Sequence, residues 1–130
     1  MHERQTGQAL SAREAAIECA RIADSKRAER VVILDVSQTI VITDFFVICS
    51  GSNRRQVQSI ADEIMERMKE GGLPKIGVEG YAEGRWVLMD FQDVIIHLFL
   101  DEVRGYYDLE ILWGDAPRVE FKAETSESGR

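Results

Sequence analysis

Basic residues are in short supply in this sequence: 16 lysines and arginines stand against 23 aspartates and glutamates, a formal net charge of −7. A domain built to neutralise phosphates carries the opposite excess, so nucleic acid is a poor choice of main partner and a basic protein a good one. Cysteine is nearly absent too. Cys19 and Cys49 lie far apart, each inside an apolar periodic segment. That excludes a disulfide framework or a cysteine metal site and leaves two buried thiols of a reducing compartment. No apolar run approaches the ~20 residues that a membrane-spanning helix needs. The N-terminal stretch MHERQTGQAL has neither the apolar region of a signal peptide nor the arginine-rich, acid-free make-up of a transit peptide. A cytoplasmic location without membrane attachment is the expectation.

What the chain does have is apolar content, 45% of 130 residues, enough for one compact domain with its own core. Ser11 and Glu14 form a capping box, and Ala12, Ala16, Cys19, Ala20 and Ala23 follow at helical spacing. Val31 to Val36 and Phe45 to Ser50 are dense in β-branched and aromatic residues and read as strands, separated by the polar, turn-like SQTIVITD. Both are apolar on two faces, which places them centrally in a sheet covered on both sides. After Gly51 a long helix carries Val57, Ile60, Ala61, Ile64, Met65 and Met68 on one face, and Gly71 and Gly72 stop it. A short strand is expected over Ile76 to Glu79. Two antiparallel strands, WVLMDF and VIIHLFL, then flank a tight turn at Gln92 and Asp93. Asp101 caps a last helix that runs through Tyr106, Tyr107, Leu109 and Leu112 to Trp113, with Gly114 as its stop. The order α-β-β-α-β-β-β-α predicts a single α/β domain over 11–121, with a mixed sheet of about five strands flanked by helices. Residues 1–10 are expected to form a flexible N-terminus and 122–130 a disordered polar tail.

Ser50-Gly51-Ser52 opens the long helix in the manner of a phosphate cradle, and Arg54 and Arg55 would add charge. The spacing of a triphosphate loop is missing, and one glycine stands where the dinucleotide fingerprint needs three. Nucleotidyltransferases follow such a Gly-Ser pair with two alternating carboxylates on the next strand. Here the first acids, Asp62 and Glu63, are adjacent on a helix and cannot converge in that way. Ser52 or Asn53 as a plain helix cap is the favoured reading. His97 has no second histidine or serine elbow and reads as a hydrogen-bonded strand residue. Asp90 and Asp93 flank a turn, where carboxylates satisfy backbone donors. The aromatic density near the end is more informative: Trp86 opens a strand while Tyr106, Tyr107 and Trp113 share the terminal helix. Such residues fill cores and also anchor interfaces, so this cluster is either core or a docking face for another protein.

Three stretches, TDFFVICSGSNRRQVQSIADEI, GVEGYAEGRWVLMDFQDVIIHLF and RGYYDLEILWGDA, resemble in order and spacing the ribosomal silencing factor family, also called RsfS or Iojap-like. The similarity runs from about Ala12 to Ala116. It implies a nucleotidyltransferase-like fold without the active site, no cofactor or metal, and no catalysis. It further implies binding to the large ribosomal subunit through its universal protein number fourteen, with small-subunit joining blocked and translation silenced under nutrient limitation. Organelle relatives assist large-subunit assembly. The docking positions carried by the resemblance are Trp86, Val87 and Leu88, with Tyr107, Leu109, Glu110, Leu112 and Trp113; Asp90, Asp93, His97 and Arg104 also match. Gln92 stands where many relatives have glycine. An acidic chain meeting a basic ribosomal protein gains electrostatic steering, and direct RNA binding is not required. The residues alone leave two other classes open: a nucleotide-binding enzyme using Ser50 to Asn53, and a scaffold that forms a homodimer.

Overall fold

The computed structural model describes residues 9–104 and 115–121. Its first helix, α1 (Ala12–Ser25), starts where the capping box puts it. The Ser11 hydroxyl accepts from Glu14 N at 3.1 Å, and the Glu14 carboxylate accepts from Ser11 N at 2.9 Å. Ala15, Ala16, Cys19, Ala20, Ile22 and Ala23 form its buried face, and their small volume lets the helix lie close to the sheet. The second helix, α2 (Arg54–Glu70), buries Val57, Ile60, Ala61, Ile64 and Met68 on the same side. Among the described residues, no helix is long and apolar enough to cross a membrane.

The five strands are β1 (Glu29–Asp35), β2 (Phe45–Gly51), β3 (Gly77–Glu79), β4 (Trp86–Asp90) and β5 (Val94–Leu100). They form one mixed sheet in the order β1-β2-β5-β4-β3, in which β2 and β5 are parallel and every other pair is antiparallel. All of β2 is buried, as its unbroken apolar run requires. Period-two alternation then divides the core. Ile33, Val47, Cys49, Val87, Met89, Ile96 and Leu98 face α1 and α2. Leu34, Val36, Phe46, Ile48 and Phe99 form the outer layer, which the short helix α3 (Asp101–Arg104) meets through Val103. Both long helices thus share one face, and the last helical segment begins on the other.

Several expectations shift. Leu10, assigned to the flexible N-terminus, is buried, and its N–H donates to Gly71 O at 2.9 Å, because the end of α2 offers it an apolar seat. The first strand starts two residues before Val31, at Glu29, and absorbs a bulge near Arg30, whose φ is 52°. Expected to lie centrally, β1 is instead an edge strand, its outer edge covered by the returning chain: Asp35 N donates to Pro117 O at 2.8 Å and Val119 N to Ile33 O at 2.9 Å. The last helix begins at Asp101, and its expected continuation to Trp113 lies outside the described residues, as does the tail.

Candidate docking face

Alternation along β4 decides which side chains of the WVL motif can meet another molecule. Trp86 and Leu88 point to the outer face and are half-buried, whereas Val87 is fully buried between the sheet and its helices. Val87, among the implied docking positions, is buried and supports β4 from within. The Trp86 indole stacks on Phe99, ring centres 5.0 Å and planes 29° apart, and its Nε1–H donates to His97 Nδ1 at 3.3 Å. Phe46 meets the other side of His97 edge-on at 4.9 Å. Burial lowers the His97 pKa to about 4, so the ring is neutral at ordinary pH and its Nδ1 lone pair is available to the indole.

Beside Trp86 and Leu88 a shallow cavity of about 610 Å³ is lined also by Ile76, Gly77, Glu79, Gly80 and Asp90. Its rim includes Ile76, which is 59% exposed. The turn that leads into β4 depends on Gly80. Its φ is 81°, and a β-carbon there would collide with the Trp86 carbonyl oxygen. Asp90 satisfies a backbone donor, accepting from Gln92 N at 2.8 Å, as its place beside the turn implies. Asp93 contributes its carbonyl, which accepts from Asp44 N and Phe45 N. His97 is a hydrogen-bonded strand residue, as its setting implied: Nδ1 is partnered, while Nε2 is buried with no partner among the described residues. Tyr107, Leu109, Glu110, Leu112 and Trp113 lie outside the described residues.

The glycine loop belongs to the chain's own packing. Ser50 is fully buried, donating to Glu29 O at 3.2 Å and accepting from Arg104 Nη1 at 3.0 Å. Asn53, rather than Ser52, caps α2, its Oδ1 accepting from Gln56 N at 2.8 Å. Gln56 folds back to accept from Ser52 N and Ser52 Oγ at 2.7 and 2.9 Å. Among the described residues, no group of three or more histidine, cysteine or acidic side chains is placed to hold a metal ion.

The composition-based reading missed the exposed apolar residues Val41 (100%) and Ile42 (76%), which project from the loop between β1 and β2. The signal was present as TIVIT inside a segment otherwise polar enough to pass as a turn.

A family model described as ribosomal silencing factor during starvation matches residues 9–130. The chain belongs to the ribosomal silencing factor family. A ribosomal silencing factor RsfS of Halalkalibacterium halodurans is 47% identical over 103 residues, covering 79% of this chain and 88% of that protein. A solved protein of Chromobacterium violaceum superposes with a TM-score of 0.72 at 33% identity, covering 87% of this chain and 88% of that one. A mouse protein named mitochondrial assembly of ribosomal large subunit protein 1 is 31% identical over 91 residues, 68% of this chain and 40% of its own length. Among the described residues, an open cavity lies over the outer face of β3 and β4.

Proposed function

We propose that this chain is a non-catalytic translation regulator of the cytoplasm. It docks on the large ribosomal subunit through universal protein number fourteen and blocks joining of the small subunit by occupying its place. The observation that carries this reading is the half-buried Trp86 indole, stacked on Phe99 and hydrogen-bonded to His97, beside an apolar cavity that the described residues leave open on the outer face. A large aromatic ring with a fixed rotamer loses little freedom on binding, which suits it to anchor an interface. Family membership supports the choice of the ribosome as the partner. A glycine loop filled by Arg104 and Gln56 leaves a nucleotide little to bind, which favours steric action over turnover.

A second reading, assistance in large-subunit assembly, is favoured by the likeness to the mouse mitochondrial assembly protein. Sucrose gradients of purified subunits separate the two. A steric blocker lowers the whole-ribosome peak in proportion to its occupancy of free large subunits, while pre-assembled ribosomes resist it, and excess small subunit displaces it by mass action. An unchanged whole-ribosome peak at saturating protein, with binding to the large subunit demonstrated, would overturn silencing and leave assembly as the better reading.

A further inference from the structure

His97 occupies a costly position. It is 6% exposed in the middle of β5, flanked across the sheet by Ile48 and Leu88 and surrounded by Phe46, Trp86 and Phe99. Because Nδ1 accepts from the indole, the proton of the neutral ring sits on Nε2, and that buried donor has no partner among the described residues. An unsatisfied buried donor destabilises a fold, and a leucine here would fill the same layer without one. Packing therefore does not account for a histidine at this position. What a leucine cannot supply is the acceptor for Trp86 Nε1–H.

We propose that His97 is the positioning residue of the docking face, holding the Trp86 indole across Phe99 through its Nδ1 so that the ring meets its partner in one orientation. Stacking on Phe99 restrains the plane of the indole, and the N–H bond to His97 adds a directional restraint that favours one edge. The inference rests on the docking reading above, and it separates two roles: Trp86 touches the partner and His97 acts through Trp86.

The test uses the full-length chain with purified large subunits, comparing His97→Leu, His97→Asn and Trp86→Ala. Affinity, melting temperature and the indole N–H resonance of Trp86 are read for each, that resonance being assigned by its loss in Trp86→Ala. The asparagine Oδ1 stands near the place of Nδ1, so it keeps the acceptor while filling the layer poorly. Stability and binding should then rank in opposite orders. His97→Leu should melt at or above the wild-type temperature yet bind roughly five- to tenfold more weakly, the equilibrium worth of about one hydrogen bond, with its indole resonance shifted upfield. His97→Asn should melt lower yet bind within about twofold of wild type with the resonance retained. A His97→Leu protein that folds and binds like wild type, while Trp86→Ala binds weakly, overturns the positioning role. If His97→Leu does not fold, His97→Asn decides: retained affinity supports the role and lost affinity overturns it. Wild-type affinity in Trp86→Ala would instead remove the docking reading on which the proposal stands.

Discussion

Gln92 carries a left-handed backbone, φ 77°, and Asp93 N donates to Phe91 O across it at 3.0 Å. An i to i+2 bond over a positive φ is the rarer and more strained of the two γ-turns, and a side chain with a β-carbon adopts it at a cost of about 1–2 kcal/mol. Replacing Gln92 with glycine removes that cost but adds backbone freedom to the unfolded chain, so the net gain should be about 0.5–1 kcal/mol. Urea titration of Gln92→Gly checks this, and Gln92→Val, which worsens the strain, should move the midpoint the other way. His97 gives the second forecast. Its folded pKa, about 4 against an ordinary 6.5, means that between those values the unfolded chain takes up a proton that the folded chain refuses. Stability from this group is complete above pH 6.5 and declines as the pH falls towards 4, by about 3 kcal/mol in all. Carboxylates add their own slope in that range, so the informative quantity is the difference between wild type and His97→Leu. That difference should change between pH 7 and pH 4 and stay level above pH 7.

Among the elements, the N-terminus of α2 shows how a sequence signal shared by two functions is resolved by its neighbours. Gly51 and Ser52 permit a phosphate cradle, yet Gln56 turns its carbonyl oxygen onto Ser52 and Arg104 reaches Ser50 from the far end of β5. The first contact is four residues away and consistent with the helical spacing; the second spans 54 residues and exists only once the parallel β2-β5 pair has formed. Local pattern therefore gave the existence of α1, α2 and every strand, because capping chemistry and apolar periodicity act within a few residues. It did not give the sharing of one sheet face by both helices, nor the burial of Leu10 under Gly71, which depend on chain reversal. On the proposed docking face, the WVL motif marked β4 correctly, but only the register against β5 turns Val87 inward and Trp86 outward. The exposed Ile76, Val41 and Ile42 escaped because composition does not tell an apolar loop residue from a strand residue. Capping can be checked directly: Asn53→Ala should cost about 1 kcal/mol of stability, and Ser52→Ala less, since Ser52 Oγ donates to the Gln56 side chain rather than capping a backbone N–H. Calorimetry with nucleoside triphosphate and magnesium should record no saturable heat. Saturable heat abolished by Arg54→Ala would restore the enzyme reading.

For the whole molecule, charge and apolar anchoring are distributed so that they act on different rate constants. The chain carries a net charge of −7; Arg67 pairs with Glu18 at 3.1 Å and Lys26 with Glu63 at 3.3 Å along α1 and α2, while Arg30 pairs with Asp101 at 3.3 Å and Arg85 with Glu102 at 3.9 Å beside α3. The net field is long-ranged and steers encounter with a basic partner, whereas Trp86 and Leu88 are short-ranged and act only after contact. Salt shortens the reach of the first to about 8 Å at physiological ionic strength and hardly touches the second. Raising salt from low to physiological levels should therefore slow association with the isolated ribosomal protein by about tenfold while changing dissociation little. Trp86→Ala should do the reverse, speeding dissociation to an affinity loss of about 2 kcal/mol or more with an unchanged salt slope. Melting curves guard the comparison, because a ring that belonged mainly to the core would cost roughly 3–5 kcal/mol of folding stability on truncation. Stopped-flow or surface-based kinetics at several salt concentrations read both constants. A Trp86→Ala protein that melts like wild type, associates normally and leaves sooner would place the indole at the contact itself. One that associates and dissociates as wild type would sink the docking role of Trp86, whatever the salt dependence of the rest.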